Sequence, residues 1–295
     1  MNQLWYQIVE SYSALSLTRP ASDRLIALTG IAKEFRDTME RTTAGPELAT
    51  VSCGLESISG IWLRDLHRGL LWEQKFPESS RVRLIQFPTW SWASVICPVI
   101  WNNLYDARIK PKAKVVAIMT SEGEVFSIES LLPTLIPNQT FERSFDINNQ
   151  FACLYMRGKV LQAMIREKMT AEGDLKLASE VSGCRNPVNC AWRSVCSSLS
   201  PTEISGCASF EHLEYQDDAA FGEGPLIYAF HISTTSRVPG GFGLGYITPW
   251  HEVFNVMFIR RAEGIKYERI GVGRLFGREI EAQLSAGPLQ DVELI

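Results

Sequence analysis

Two sets of residues in this chain have the types and spacing to do chemistry. The first is the run Pro88-Thr89-Trp90-Ser91-Trp92-Ala93-Ser94. In an extended segment Trp90 and Trp92 point to one face, where they could stack a base, a sugar or a cofactor ring. Arg24 offers a guanidinium for a carboxylate, internal or foreign. The second set is a sparse group of acid–base candidates: Glu10, Asp23 and His67. Each has a plainer reading. Paired indoles bury a large apolar area and are mostly core, with N–H groups that need acceptors. Ser22 and Asp23 read as N-caps of a helix, Asp23 favoured there by the helix dipole, with Arg24 in an internal ion pair. His67, beside Asp65 and Arg68, reads as part of a solvated helix face.

The remaining motifs exclude more than they admit. The four histidines, His67, His212, His231 and His251, form no H-E-x-x-H or other metal pattern. No G-x-S-x-G marks a nucleophile elbow. Gly241-Phe-Gly-Leu-Gly245 and Gly271-Val-Gly-Arg-Leu-Phe-Gly277 both miss the dinucleotide spacing, and no G-x4-G-K-[ST] occurs. Seven cysteines is an odd number, which argues for reduced thiols. Cys184, Cys190, Cys196 and Cys207 lack the close C-x2-4-C pairs that aim two sulfurs at one tetrahedral zinc. Neither a metal nor a cofactor is expected.

The elements that must position these residues fall into two parts, 1–80 helical and 81–295 β-rich, expected to form one composite unit. Trp5, Ile8, Val9 and Tyr12 lie on one helical face. A second stripe runs Leu25, Leu28, Ile31, Ala32, Phe35 and Met39, with Gly30 read as a close-packing position. A third runs Ile58, Ile61, Trp62, Leu66 and Leu70, ending near Trp72. Thr42 to Gly54 reads as a loop. Beyond residue 80, short runs rich in β-branched and aromatic residues predict strands. Ala113–Met119 and Glu124–Ile128 make one hairpin, Val253–Arg261 and Ile265–Val272 another. Phe151–Ile165 reads as a long strand broken at Gly158, and Leu226–Ile232 as a further strand. The stretch at about 168–224 is expected to be an irregular insertion with a helical piece or two. Val238 to Gly245 reads as a loop, and the last ten residues are expected to fray. The fold class is α+β: about three helices packed on a mostly antiparallel sheet or barrel-like region.

Composition sets the outer bounds. The 295 residues are 45% hydrophobic and carry a formal charge of −4. That is enough apolar content for a core, and it gives no electrostatic footprint for nucleic acid or an anionic membrane. No apolar run reaches the roughly 20 residues of a membrane span, and the N-terminus lacks the features of a secretory signal, so a cytoplasmic location is expected.

Three Trp-containing blocks occur in a telling order: Trp5-x-x-Ile8-Val9-Glu10-x-Tyr12-Ser13 through Ser22-Asp23-Arg24-Leu25 to Gly30-Ile31-Ala32; Ser59-Gly60-Ile61-Trp62 through Gly69-Leu70-Leu71-Trp72; and Pro88-Thr89-Trp90-Ser91-Trp92-Ala93-Ser94-Val95. With Tyr267-Glu268-Arg269-Ile270-Gly271-Val272, the chain resembles fungal heterokaryon-incompatibility (HET) proteins, best over residues 4–100. It resembles only their downstream part. The domain that names the family lies upstream of the Trp5 block, and no residue here matches it. The resemblance implies a role in non-self recognition after hyphal fusion, leading to growth arrest or cell death, through a protein partner or self-association and without catalysis. The reading from another class is a HET-like module recruited in fungal secondary metabolism as a cyclase, isomerase or hydrolase. The large aromatic inventory would then line a pocket for a small apolar metabolite.

Overall fold

The computed structural model describes residues 2–43, 57–75, 83–101, 109–128, 151–168, 192–197, 199, 203–211, 226–236 and 252–295. Helix α1 (Asn2–Ser13) buries Trp5, Tyr6 and Val9 along one stripe. Helix α2 (Pro20–Thr43) buries Arg24, Leu28 and Ala32. Proline stands in its first turn, where its missing N–H has no intrahelical acceptor to lose. The helix thus opens ahead of Ser22 and Asp23, which lie in its first turn rather than at the cap. Ile31 is 44% exposed, and a Cβ added at Gly30 would meet nothing within 4 Å. Among the described residues Gly30 is therefore no packing contact.

The third expected helix is mostly a hairpin. Strands β1 (Ser57–Ile58) and β2 (Ile61–Trp62) flank Ser59 and Gly60, whose φ values are 44° and 84°. Two positive φ angles in a two-residue loop are the signature of a primed hairpin turn. A 3-10 turn (Leu63–Asp65) and the short α3 (Leu66–Gly69) follow. The apolar spacing looked helical because hairpin and helical turn together bury the same side of the segment. Gly60 was the contrary signal: a Cβ there would stand 2.4 Å from Trp92 Nε1.

Strands β3 (Glu73–Gln74) and β4 (Val99–Ile100) form a small antiparallel ladder. The rest of the chain builds one large, mostly antiparallel sheet: β5 (Ile109–Pro111), β6 (Lys114–Thr120), β7 (Val125–Ser127), β8 (Phe151–Lys168), β9 (Trp192–Ser197), β10 (Ile204–Phe210), β11 (Ile227–Ser236), β12 (Glu252–Arg261) and β13 (Lys266–Leu275), then α4 (Arg278–Ala286) and β14 (Leu289–Leu294). The strands β8-β9-β10-β13-β12-β11 close into a ring, because Ala163 of β8 pairs with Ser197 on one side and Ile227 on the other. Lower on β8, β14 joins Leu154–Lys159 and also pairs in parallel with Lys266 and Tyr267 of β13. Closure removes the free edges that an open sheet exposes.

Both expected hairpins are present, and β8 continues through Gly158 without a break. Other expectations are corrected. The described parts of the 168–224 stretch are strands β9 and β10, not helical pieces, because they pair with β8 and β13. The last residues do not fray: Val292 and Leu294 are buried in β14. Most of the Thr42–Gly54 loop and the whole of the Val238–Gly245 loop lie outside the described residues.

The ring has an interior core of Ile165, Val195, Phe210, Phe254, Val256 and Phe258, onto which Ile280 and Leu284 of α4 pack. Phe210 and Phe258 meet at 5.4 Å between ring centroids. This explains the glycines of β13. A Cβ at Gly273 would lie 2.4 Å from the Phe258 ring and 2.6 Å from the Cys207 carbonyl. Outside the ring, Met257, Ile259, Val272, Phe230 and Leu294 belong to a second cluster that includes Trp5, Trp72, Trp90 and Trp92. The β12–β13 register shifts between Phe258 and Ile259, which pair with Gly271 and Arg269, so Ile270 is an extra residue. This bulge changes the strand's parity. Arg269, Val272 and Arg274 all come to face the indole-rich cluster.

Two outcomes follow. Gly273→Ala should destabilise the chain by about 2–3 kcal/mol in guanidinium denaturation, because its Cβ has rigid backbone and a packed ring to displace. His231 is buried, and its Nε2 lies 3.2 Å from the Ser233 carbonyl and 3.0 Å from Thr234 Oγ1. Burial, helped by the charge on Lys112, pulls its pKa down from 6.5 to about 4. The unfolded chain therefore binds the proton more tightly. His231 contributes stability that is fully present above about pH 6.5 and falls as pH drops toward 4, by about 3 kcal/mol in all. Denaturation midpoints across that window should flatten in His231→Gln relative to the parent chain.

Candidate functional site

The tryptophan motif folds as a turn, not an extended strand. Trp92, Ala93 and Ser94 form a 3-10 turn whose first N–H groups are met by Ser91: Ala93 N donates to Ser91 Oγ at 3.1 Å. Ser91 Oγ donates in turn to the Ser59 carbonyl at 2.7 Å. Trp90 and Trp92 are both 0% exposed. A ring with no accessible surface lines no space large enough for a water molecule, so neither is an open stacking platform.

The indoles instead bind the β1–β2 hairpin, α3 and the tryptophan turn together. Trp92 Nε1 donates to the Gly60 carbonyl at 3.0 Å, Trp72 Nε1 to the Trp90 carbonyl at 3.0 Å, and Trp101 Nε1 to the Gly69 carbonyl at 3.2 Å. Among the described residues Trp90 Nε1 is buried with no acceptor. The helical hairpin packs on the same layer, Trp5 edge-on to Trp62 at 5.2 Å and Tyr12 edge-on to Trp92 at 6.4 Å. Arg24 is also buried; its guanidinium lies 5.2 Å from the Trp92 ring centroid and Nη2 donates to the Cys97 carbonyl at 3.3 Å. Its ion-pair reading fails: among the described residues no carboxylate lies within 4.0 Å. Its charge is held by a π-face and a carbonyl, and burial lowers its pKa.

The strongest electrostatic feature is one the sequence did not single out as a site. Arg269 is fully buried. Nη1 donates to Glu211, Nη2 donates to the Trp72 carbonyl, and the guanidinium lies over the Trp72 ring at 3.5 Å. Glu211 also accepts from Arg83 Nη2 at 2.6 Å, and the same Nη2 donates to the Arg269 carbonyl at 2.7 Å. Five residues along β13, Arg274 pairs with Glu73 at 3.4 Å, next in sequence to Trp72. The Arg269 backbone N–H donates to Thr89 Oγ1 at 2.9 Å, one residue before Trp90. Burial lowers the Arg269 pKa to about 10 against the pull of Glu211, so the group keeps its charge at neutral pH. The available signal was an arginine at each end of the apolar Ile-Gly-Val-Gly run of a strand buried on both faces; charges in such a strand are buried only when paired.

The acid–base candidates are not brought into hydrogen-bond contact with one another. Glu10 Oε1 accepts from Trp101 N at 2.8 Å, while Ser13 Oγ accepts from Val99 N at 3.0 Å. The two side chains thereby cap alternate N–H groups at β4. Half-burial raises the Glu10 pKa, the Trp101 N–H and Lys75 opposing. Asp23 is bound by its neighbour, Ser22 Oγ donating at 2.6 Å, and its carbonyl accepts from Tyr12. His67 is mostly buried rather than solvated. Its Nε2 lies 3.6 Å from Asp65, a carboxylate that also accepts from Tyr6 OH at 2.8 Å and Arg68 at 3.2 Å. Burial lowers the His67 pKa. The arrangement resembles an acid–base triad in composition, but Asp65 is an acceptor hub joining α1 to α3.

Cys97 and Cys153 are buried, and desolvation pushes both thiols up to about 12, far from the thiolate a nucleophile needs. Cys184 and Cys190 lie outside the described residues. Among the described residues no three His, Cys, Asp or Glu side chains could hold a metal ion, and no helix is long and apolar enough to cross a membrane.

Arg269→Lys should destabilise the chain by about 3 kcal/mol. An ammonium cannot reproduce the planar fork between Glu211 and the Trp72 carbonyl while stacking on the ring. Guanidinium denaturation checks the loss, and near-ultraviolet circular dichroism should report a changed indole environment. The chain matches no model of a known protein family, no curated protein and no solved structure.

Proposed function

We propose that the chain is a HET-like recognition or scaffold module of fungal non-self recognition, acting through protein contacts and without catalysis of its own. One observation carries the reading. The four sequence blocks that resemble HET proteins meet in a single closed layer, where Trp5 packs on Trp62, Trp92 on Tyr12 and Arg24, Trp72 Nε1 reaches Trp90, and Arg269 lies over Trp72. Residues that a pocket would need for binding are engaged in holding elements together. Such a layer supports surfaces for partners instead of enclosing a substrate.

The reading is tested by using the purified chain as bait in fungal extract at physiological salt, and by scoring viability of fused hyphae that express it. The expected result is a saturable protein partner or self-association, with reduced survival of fused cells. No partner, no self-association and unchanged survival would overturn it. Turnover of a small apolar metabolite by the purified chain would overturn the non-catalytic part.

A further inference from the structure

The small β3–β4 ladder is paired on one side only. Pro98 and Ile100 turn their backbone groups toward β3: Lys75 N donates to the Pro98 carbonyl at 2.9 Å, and Glu73 is the partner of Ile100. Cys97, Val99 and Trp101 therefore turn theirs outward, and among the described residues no strand pairs with them. Three side chains stand where a strand would be. Arg24 Nη2 donates to the Cys97 carbonyl at 3.3 Å, Ser13 Oγ accepts from Val99 N at 3.0 Å, and Glu10 Oε1 accepts from Trp101 N at 2.8 Å. All three come from the end of the helical hairpin where α1 runs toward α2.

Two of these side chains are held there against their own hydration. Arg24 is 1% exposed, and among the described residues its Nε has no acceptor. Glu10 is a half-buried carboxylate that desolvation destabilises. Both charges regain water when this end of the hairpin lifts, while Trp5 stays packed on Trp62 and Phe35 at the other end.

The edge beneath is self-complementary. Residues 93–101 carry no charged side chain, and their one proline, Pro98, turns its missing N–H toward β3. Antiparallel pairing about a two-fold axis at Val99 sets Val99 against Val99 of the second copy and Cys97 against its Trp101. Each backbone group now held by a side chain then gains a backbone partner. The Trp101 N–H meets the Cys97 carbonyl of the other copy, and the Val99 N–H meets the Val99 carbonyl. We propose that the α1–α2 hairpin guards a strand-pairing edge, and that a second copy of this chain pairs along β4 when the hairpin lifts.

This deepens the contact-module reading and rests on it for its biological role; its structural warrant is the hydrogen-bond pattern of β4. Native-state hydrogen exchange of the full chain should show the Val99 and Trp101 amides opening with the last turn of α1. They should open more readily than Met257 and Val272 in the ring. Removing both acceptors, Glu10→Ala with Ser13→Ala, should speed exchange at those two amides about tenfold or more and leave the ring unchanged. Glu10→Gln alone keeps an acceptor oxygen and should exchange no faster than the parent chain. Sedimentation equilibrium of the double variant over roughly 1–100 µM should show a reversible dimer. Rising concentration should then slow Val99 and Trp101 exchange while α1 stays fast. Val99 and Trp101 amides that open only together with the ring overturn the guard. A double variant that stays monomeric, or dimerises without protecting these two amides, overturns the pairing. If the double variant does not fold, Ser13→Ala alone carries the same two readouts. Capture of a fungal partner by a chain that never pairs along β4 overturns the dimer and leaves the proposed function standing; a β4-paired dimer without effect on fused hyphae does the reverse.

Discussion

The fully buried guanidinium of Arg269 fixes how the indole layer sits on the closed sheet. Arg269 projects from the closed sheet into the indole layer, where it meets Glu211 and the face and carbonyl of Trp72 at once. A buried arginine without partners would be intolerable at a cost of several kcal/mol, so the position of Trp72 relative to β13 is tightly specified. Hydrophobic contact alone is non-directional; this cluster supplies the direction. Glu73 and Arg274 repeat the device next to it, and Thr89 ties the tryptophan turn to the same strand.

The bulge at Ile270 makes that device possible. Without the extra residue, Arg269 and Arg274 would point to opposite faces of β13, and one of them would enter the phenylalanine-filled interior. With it, both face the tryptophans while Ile270 turns into the ring. The small residues at Gly271 and Gly273 then leave room for Phe210 and Phe258. Glycine spacing that fits no phosphate loop in the sequence is thus set by aromatic packing.

Strand and helix character was legible wherever local pattern and tertiary role agree. Long alternating runs such as Val253–Arg261 show their pairing partner through a short glycine-ended loop, and the Trp5 stripe shows its buried face. The misread segments are those in which distant partners decide. Ile58–Trp72 has helical spacing, yet Ser59 and Gly60 turn it because Trp92 needs the Gly60 carbonyl. Strands β9, β10 and β14 are short, with weak local signals, and their pairing with β8 and β13 fixes them. Of the candidate site, Trp90 and Trp92 were identifiable as structurally decisive, whereas Arg269 and Glu211 depend on a contact 58 residues apart in sequence that no local pattern encodes. Arg24 and Asp23 sit next to each other, and only helix geometry reveals that one faces inward and the other outward.

The order of synthesis gives the Trp72–Arg269 contact a further meaning. The indole layer is made before the strand that neutralises and covers it, which follows almost 200 residues later, ahead of β14. Until then the nascent chain presents several large aromatic surfaces without β13 to cover them, and the ring cannot close. Such a chain has reason to engage chaperones while it grows, and its collapse is a late event that couples segments almost 200 residues apart.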